Sequence, residues 1–334
     1  MRRRQVIALV GGIAAVHALG RLAVQAQQPD RTRRIGVLMG YTDTDPEAQV
    51  FVRTFVEALA ETGWVEGRNL RFDLRWAAAD IEKMRDFAQQ VVAARPDLIL
   101  ANTTPVIAAL QRETRNIPIV FVIASDPVGD GFVASLARPG GNITGFINLE
   151  ATAGGKWLEL LKEAAPRVSR VAVMFNPDTA PGGGNYFTPS FEAAARALAV
   201  KPIVSPVRSE AEIEAVITAL AREPGGGLVV PSDGFMRVHR HVTIALTARH
   251  NVPAVYALRI HALDGGLLSF GPQNVDLFRR AAPYVDRILR GTHPSELPVQ
   301  VPTKFELVVN LKTAKELGLE IPPTILVRAD EVIE

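Results

Sequence analysis

The chain has no cysteine among its 334 residues. This absence excludes disulfide bonds, thiolate metal sites, cysteine nucleophiles and a lipid-modified cysteine near the amino terminus. Beyond the first 26 residues, no apolar run approaches the ~20 residues that a membrane-spanning helix requires. A protein without disulfides must be stabilised by a large hydrophobic core, and roughly 300 residues suffice for one large or two medium domains.

Residues 1–26 have the pattern of an export signal. Three consecutive arginines from Arg2 precede an apolar stretch over residues 6–16, and Val24 and Ala26 occupy positions −3 and −1 of a predicted cleavage site after Ala26. The arginines suggest the twin-arginine route, and an ordinary Sec signal is the open alternative. We expect a mature protein that is periplasmic, soluble and not lipidated.

Removal of this segment makes the chain slightly acidic. The whole sequence has 37 basic and 35 acidic residues, and residues 1–26 contain four arginines and no acid, which leaves 33 basic against 35 acidic residues and a net charge of −2. A nucleic-acid-binding protein is expected to keep a basic surface. The composition therefore argues against a nucleic-acid partner.

Short apolar strand patterns alternate with helical patterns after Arg34. The patterns at residues 35–39, 97–101 and 117–123 are almost continuous runs of Val, Ile and Leu, whereas residues 70–76 alternate as at the margin of a sheet. Such runs are typical of parallel sheets with helices on both faces. The helices predicted along the chain cover residues 46–62, 81–94, 105–114, 155–164, 190–198, 210–222, 235–250 and 275–290.

The pattern restarts after Gly145, with further strands predicted at residues 168–175, 201–207, 227–230 and 252–256. Two successive sets of strand–helix units predict an α/β fold with two doubly wound parallel-sheet lobes. The expected N-terminal lobe comprises residues 33–147 with 273–300. The expected C-terminal lobe comprises residues 148–272 with 301–334.

Polar residues occupy the loops that follow the predicted strands, where open parallel sheets bind their ligands. Thr, Asn, Ser and Asp at these positions are explained either as helix caps or as ligand contacts. Asp126 and Asp233 would suit a ligand ammonium group, and Tyr41 and Tyr186 could stack on a ring. The five loops span residues 40–45, 102–105, 124–127, 176–186 and 231–234.

No catalytic, metal or cofactor motif is present. The sequence lacks a G-x-S-x-G nucleophile elbow and a phosphate-binding P-loop, and Phe187 stands where a dinucleotide fingerprint would need a third glycine. His239 and His241 are two residues apart on a predicted helix and point to different faces, so they cannot easily share a metal. We expect a protein that is not an enzyme and that has no cofactor or metal.

Two long segments resemble a known family. Residues 117–146, which include SDPVGDGFVASLARPGGNITGF, and residues 265–333, which begin GGLLSFGPQNVDLFRRAAPYV, are similar to substrate-binding proteins of ABC transporters, in the group with tryptophan- and phenylalanine-binding members. The resemblance covers nearly the whole mature chain. It implies the type I periplasmic binding fold, in which two lobes joined by three crossovers close on a ligand.

The resemblance also implies a function and a site. A small organic solute, an amino acid or an aromatic or carboxylate compound, would be captured between the lobes and delivered by a monomer to an inner-membrane permease driven by a separate ATPase. The hinge would lie near residues 146–149, 270–274 and 298–303. The implied ligand contacts are Asn102, Thr103, Thr104, Ser125, Asp126, Asn176, Asn185, Tyr186, Ser232 and Asp233, to which the loop pattern adds Tyr41.

Two departures concern the ligand. Residues 40–46 match no defined specificity, and Gly234 stands where relatives often have a bulkier residue, which would widen the pocket. Two other functions remain open. A periplasmic ligand-sensing subunit of a membrane signalling system would have the same fold, whereas an exported α/β hydrolase would need the nucleophile elbow that this chain lacks.

Overall fold

A computed structural model describes residues 32–334. The predicted export signal lies outside the described residues. Among residues 32–334, no helix is both long enough and apolar enough to cross a membrane.

The N-terminal sheet has five parallel strands in the order β2-β1-β3-β4-β5. Its three central strands are buried on both faces, whereas β2 is a half-exposed edge strand, as its alternating sequence predicts. β5 was not predicted, although Ile, Thr and Phe favour strands, because Gly145 interrupts its five residues directly after a loop rich in Pro and Gly. The strands are β1 Arg33–Met39, β2 Leu70–Trp76, β3 Leu98–Asn102, β4 Ile119–Ala124 and β5 Ile143–Ile147.

Four helices cover this sheet. α1 and α10 pack against each other on one face, where the rings of Phe51 and Phe278 stack with centroids 4.9 Å apart. α2 and α3 cover the other face, where their apolar residues form one core with β3 and β4. The helices are α1 Pro46–Glu61, α2 Ile81–Ala93, α3 Thr104–Glu113 and, far along the chain, α10 Asn274–Leu289.

The C-terminal sheet has seven strands in the order β12-β11-β10-β9-β8-β6-β7. The pairing is parallel except between β10 and β11, where it is antiparallel. The prediction of two doubly wound parallel sheets is therefore confirmed apart from this one pair. The strands are β6 Arg170–Phe175, β7 Lys201–Pro206, β8 Gly226–Val230, β9 Ala254–Tyr256, β10 Leu268–Pro272, β11 Phe305–Asn310 and β12 Glu331–Ile333.

Eight helices belong to the lobe that contains this second sheet. The prediction of one helix over residues 235–250 is wrong, because His239 leaves helical geometry and separates two helices. Its ring bonds to Glu210 at 2.8 Å, and its carbonyl accepts a hydrogen bond from the Thr243 hydroxyl. The helices are α4 Ala153–Ala164, α5 Thr188–Ala197, α6 Glu210–Ala221, α7 Gly234–Val238, α8 Arg240–Arg249, α9 Arg259–Leu263, α11 Leu311–Glu316 and α12 Pro323–Leu326.

The chain passes between the two sheets three times. It leaves the first sheet after β5, returns after β10 to form α10, and passes through a short 3₁₀ helix at Pro294–Glu296 before it enters β11. Gln300 of the last crossing bonds to β5, donating to the Gly145 carbonyl at 2.9 Å and accepting from the Ile147 amide at 2.9 Å. We propose that the lobes divide as the sequence predicts, at residues 147, 272 and 300.

Gly145 should be required for the approach of β5 to β4. A Cβ at this position would lie 2.1 Å from the Phe121 carbonyl oxygen. We expect Gly145→Ala to lower the free energy of unfolding by about 1–3 kcal/mol, the range for overpacking, in urea denaturation followed by circular dichroism. Gly141→Ala is the matched control, since its Cβ would meet nothing within 4 Å. Equal stability of the two variants would contradict this role.

Candidate functional site

The carboxyl ends of the two sheets face each other. The loop after β8 is linked to the first lobe through Asn148, which accepts from the Ser125 hydroxyl at 2.9 Å and donates to the Ser232 hydroxyl at 3.0 Å. A Cβ on Gly234 would lie 3.8 Å from the Cβ of Ala79 in the loop after β2. The loops predicted to bind a ligand therefore line one interlobe cleft.

A cavity of about 540 Å³ occupies the side of this cleft next to α2 and α3. Cavities of this size accommodate small organic molecules. The loop after β6 closes the cavity from the second lobe. The lining residues are Ile81, Glu82, Arg85, Thr104, Pro105, Ala108, Ala109, Arg112 and Asp130 from the first lobe, and Pro177 to Ala180, Gly182 and Gly183 from the second.

Thr103 stands in strained backbone geometry at the amino end of α3. Its φ of 79° and ψ of 148° lie in a region that glycine alone adopts easily, at a typical cost of ~1–3 kcal/mol. Its hydroxyl oxygen is buried and has no hydrogen-bond partner within the protein. Strain together with an unused polar group is typical of a ligand contact. Thr104, the next residue, lines the cavity.

Two carboxylates from the loop after β4 lie at the cleft. Asp126 accepts a hydrogen bond from the Gly129 amide at 2.9 Å. Asp130 has a buried Oδ2 without a hydrogen-bond partner, and burial together with the charge of Asp126 raises its pKa to about 6. The sequence reading missed Asp130, which follows a turn rather than a strand. A cation is the natural partner for this pair.

Tyr186 of the second lobe lies near these carboxylates. Burial, and then the negative charges of Asp126 and Glu150, raise its pKa to about 12. Its hydroxyl donates to the Leu149 carbonyl at 3.3 Å, and its ring packs edge-on against Phe187. The ring is half-buried and keeps part of its surface open. Tyr186 thus lies within electrostatic range of Asp126.

Ser125 and Ser232 are connected by Asn148. The Ser125 hydroxyl donates to Asn148 Oδ1 at 2.9 Å, and Asn148 Nδ2 donates to Ser232 at 3.0 Å. All three residues are buried. Asn148 was not among the predicted site residues, and it lies in the first predicted hinge segment. The chain of bonds joins both lobes at the hinge side of the cleft.

Asn102, Asn176 and Asp233 serve the structure of their own lobes. Asn102 accepts from the Gly40 amide and donates to the Val122 carbonyl, both at 3.3 Å, and so ties β1, β3 and β4 together. The side chain of Asn176 accepts from the Asp178 amide at 2.8 Å. For these residues the capping and bracing explanation fits the contacts better than the ligand explanation.

Asp233 is the clearest case of a side chain that binds groups of its own lobe. Its carboxylate accepts from the Asn176 amide and the Thr179 hydroxyl, both at 2.5 Å, and from the amides of Phe235 and Met236 at the start of α7. Burial raises its pKa to about 6 despite these four donors. The expectation that Asp233 meets a ligand ammonium is therefore replaced by a capping role.

Tyr41 and Asn185 also differ from expectation. Tyr41 is buried, and its ring lies under the guanidinium of Arg237, 4.4 Å from the ring centroid, rather than open to the cleft. Burial raises its pKa to about 12. Asn185 is exposed beyond the 3₁₀ turn Pro181–Gly184. Neither residue presents a surface to the cavity as directly as Thr104 or Asp130 does.

An ion cluster fills the other side of the cleft, next to α1. Arg237 of α7 donates from Nε and Nη2 to both oxygens of Asp45, each at 2.8 Å, and Nη2 lies 2.8 Å from Glu47. Arg240 follows, 3.7 Å from Asp45 and 2.6 Å from Asp264. The sequence reading missed this cluster, because no local pattern links Asp45 to an arginine 192 positions along the chain. Asp45 also caps α1, accepting from the Ala48 amide at 2.9 Å.

The site offers groups that can bind a small molecule. Within residues 32–334, no three His, Asp or Glu side chains are grouped so that they could hold a metal ion. His261 is buried against the ring of Tyr256, and burial lowers its pKa to about 3, which makes it a neutral packing residue. The site consists of a cavity, an acidic pair and polar groups without partners.

Comparison with known proteins identifies the family. Residues 44–333 match the family model described as ABC transporter substrate binding protein. The chain belongs to the ABC transporter substrate-binding proteins. The structures of relatives described below share its fold, so the resemblance inferred from sequence is confirmed at the level of the family and of the type I fold.

The descriptions of two relatives name a ligand. A tyrosine-binding protein from Clostridioides difficile (strain R20291) is 25% identical over 269 residues, which cover 80% of this chain and 76% of that protein. A Streptococcus pneumoniae ABC domain in complex with L-Trp is 25% identical, covers 90% of this chain and 100% of its own, and superimposes with a TM-score of 0.83.

The structure of a third relative was determined without a ligand. A substrate-binding protein with adhesive properties from Clostridium difficile, described as ligand-free and open, is 26% identical over 90% of this chain and 99% of its own, with a TM-score of 0.66. Its identity and coverage are within one percentage point of those of the L-Trp complex, whereas its TM-score is lower.

Thr103→Val should separate binding from stability. The hydroxyl bonds to nothing within the protein, so its replacement by a methyl group should leave the unfolding temperature unchanged or higher. Loss of one hydrogen bond to a ligand should weaken binding about 3- to 10-fold, measured by isothermal titration calorimetry. In the control Thr247→Val, the lost hydroxyl donates to the Ile244 carbonyl at 2.9 Å. That control should lose stability and keep affinity; unchanged affinity in Thr103→Val would argue against a ligand contact.

Proposed function

We propose that this protein is the solute-binding component of an ABC importer and captures an aromatic amino acid between its lobes. The observation that carries the proposal is the acidic pair Asp126 and Asp130, with a buried oxygen that lacks a partner beside a cavity of about 540 Å³. Membership of the substrate-binding family supports the binding role. The tyrosine-binding and L-Trp-bound relatives support the ligand class.

Each part of an aromatic amino acid has a proposed counterpart. The ammonium group would pair with Asp126 and Asp130. The carboxylate would face the Thr103 hydroxyl and the first turn of α3. There Pro105 has no N–H and the Ile107 amide donates to the Thr103 carbonyl. This leaves the amides of Thr104 and Val106 as candidate donors. The aromatic ring would pack against the open part of Tyr186. The ligand would thus contact both lobes.

A ligand that contacts both lobes favours the closed form, since only that form offers all contacts at once. The closed protein would then dock on a permease of the inner membrane, on the periplasmic side, and release its ligand there. We expect a dissociation constant in the micromolar range or tighter, ~−8 kcal/mol or better. The chain would act as a monomer.

The ligand class is tested by calorimetry against analogues that each lack one group. L-tryptophan and L-tyrosine should bind, whereas tryptamine, which lacks the carboxylate, and indole-3-propionate, which lacks the amine, should bind far more weakly. Asp126→Asn should make the binding free energy of L-tryptophan less favourable by about 2–5 kcal/mol, the range for truncating one partner of a buried charge pair. Binding of indole-3-propionate as tight as that of L-tryptophan would exclude the ammonium assignment.

The transport role needs a separate test. Deletion of the gene should abolish uptake of the labelled amino acid at micromolar concentration, and the wild-type gene should restore it. Uptake that persists, together with a lost transcriptional response to the amino acid, would favour the sensing function instead.

The pH dependence should report on Asp130. Its pKa of about 6 lies above the ordinary value of 3.8, so the carboxyl is neutral well below pH 6 and charged above it. Affinity for an amine-bearing ligand should therefore rise between pH 5 and about pH 7. In Asp130→Asn this rise should disappear, whereas a rise that persists unchanged would assign it to another group.

With rising pH, the stability of the unliganded protein should change in the opposite direction to its ligand affinity. The folded state holds the Asp130 proton more tightly than the unfolded state, so the stability of the unliganded protein falls as pH rises from about 4 to about 6. Asp130→Asn should consequently unfold at a higher temperature than the wild type at pH 7.5. At pH 4 the two proteins should unfold at similar temperatures. Differential scanning calorimetry measures both.

A further inference from the structure

The ion cluster of Tyr41, Asp45, Glu47, Arg237 and Arg240 joins the two lobes on the side of the cleft opposite the cavity. The first three residues precede or begin α1 in the N-terminal sheet's lobe, and the two arginines belong to α7 and α8 in the other lobe. All contacts are between side chains of the chain itself, so they can form without a ligand.

Both ends of the cluster are held rigidly. Asp45 is fixed as the cap of α1, and Arg237 lies on α7, whose start is capped by the fully bonded Asp233. The Arg237 side chain is completely buried, as is nearly all of Asp45. The guanidinium rests on the Tyr41 ring and lies 5.5 Å from the Phe51 ring centroid. The two partners are thus positioned to meet as the lobes close.

Closure removes these charges from water, and geometry determines whether this is favourable. Burying an ion pair is offset only when the contact is close and hydrogen-bonded. Arg237 has a bidentate hydrogen-bonded contact with Asp45 and an aromatic face below it. Glu47 adds a second negative charge at 2.8 Å without a hydrogen bond, and Arg237 Nη1 has no hydrogen-bond partner. A single missing partner would leave a buried charge unpaired in the closed form alone.

We propose that this cluster is a ligand-independent closing contact, with Arg237 as the positioning residue that brings the lobes together. The cluster keeps a measurable share of the unliganded protein closed and confines the ligand to the side of Thr103 and Asp130. The proposal rests on the proposed function for its effect on affinity only. Because the ligand engages the closed form, its apparent dissociation constant varies inversely with the closed fraction.

Distances between the lobes test the proposal directly. The chain has no cysteine, so two introduced ones can carry spin labels without background. Asp86→Cys on α2 and Ala193→Cys on α5 are exposed positions in opposite lobes. Pulsed dipolar spectroscopy without ligand should resolve a closed population in the wild type. Its distance should match the distance measured with saturating L-tryptophan.

Three variants distinguish closing from mere packing. Arg237→Met should remove the closed population of the unliganded protein. It should also raise the dissociation constant for L-tryptophan roughly tenfold. Asp45→Asn, which can still cap α1, should change both quantities in the same direction. Combined Asp45→Asn, Glu47→Gln and Arg237→Met leaves no unpaired charge at these three positions. A closed fraction equal to wild type in this triple variant, or a wild type that is entirely open without ligand, would overturn the proposal.

Arg328→Met is the control. Arg328 also binds a carboxylate, Glu163, but both residues belong to the same lobe. This variant should keep the wild-type distance distribution. The measurements without ligand decide the closing contact even if neither L-tryptophan nor L-tyrosine binds, so failure of the proposed function and failure of this inference are distinguishable.

Discussion

The structure depends on one constraint: two parallel sheets turn their carboxyl ends toward each other. Loops and helix amino termini of both lobes then share one buried polar layer, in which an unpaired polar group costs free energy. Asn102, Asn148 and Asp233 meet that requirement through hydrogen bonds inside the protein. Thr103 and Asp130 do not. Other groups without partners, such as Arg237 Nη1 and the His261 ring nitrogens, are not among the cavity-lining residues, so a missing partner supports a proposed ligand contact only at Asp130 and at Thr103 beside Thr104.

Asp130 and Asp233 show why residue type alone is a poor guide to a site. Burial raises the pKa of both to about 6. Asp233 nevertheless has four hydrogen-bond donors, whereas Oδ2 of Asp130 has none and a second carboxylate lies nearby. The same pKa thus belongs to a fully hydrogen-bonded helix cap in Asp233 and to a carboxylate with an unpaired oxygen in Asp130. The difference lies in the donors, which only the folded chain reveals.

The sequence predicted the alternation of strands and helices because helix caps and apolar runs are local signals. Asp45, Asp80 and Ser209 cap helices through their own side chains, as their positions indicate. The antiparallel strand β11 and the break at His239 depend on partners far along the chain, so local patterns could not reveal them. The same holds for the site. Loops at strand ends were predictable, but the pairing of Asp45 with Arg237 joins residues 192 positions apart.

The two sides of the cleft use the same chemistry with different cations. On the side of α1, the carboxylates of Asp45 and Glu47 surround a guanidinium that the protein itself supplies. On the side of α2 and α3, Asp130 lines the cavity with the charge of Asp126 nearby, and Oδ2 of Asp130 has no hydrogen-bond partner. A ligand ammonium would complete the second arrangement as Arg237 completes the first. Closure would then bury two neutralised clusters, one permanent and one brought by the ligand, and a solute without a positive charge would leave the second cluster unpaired.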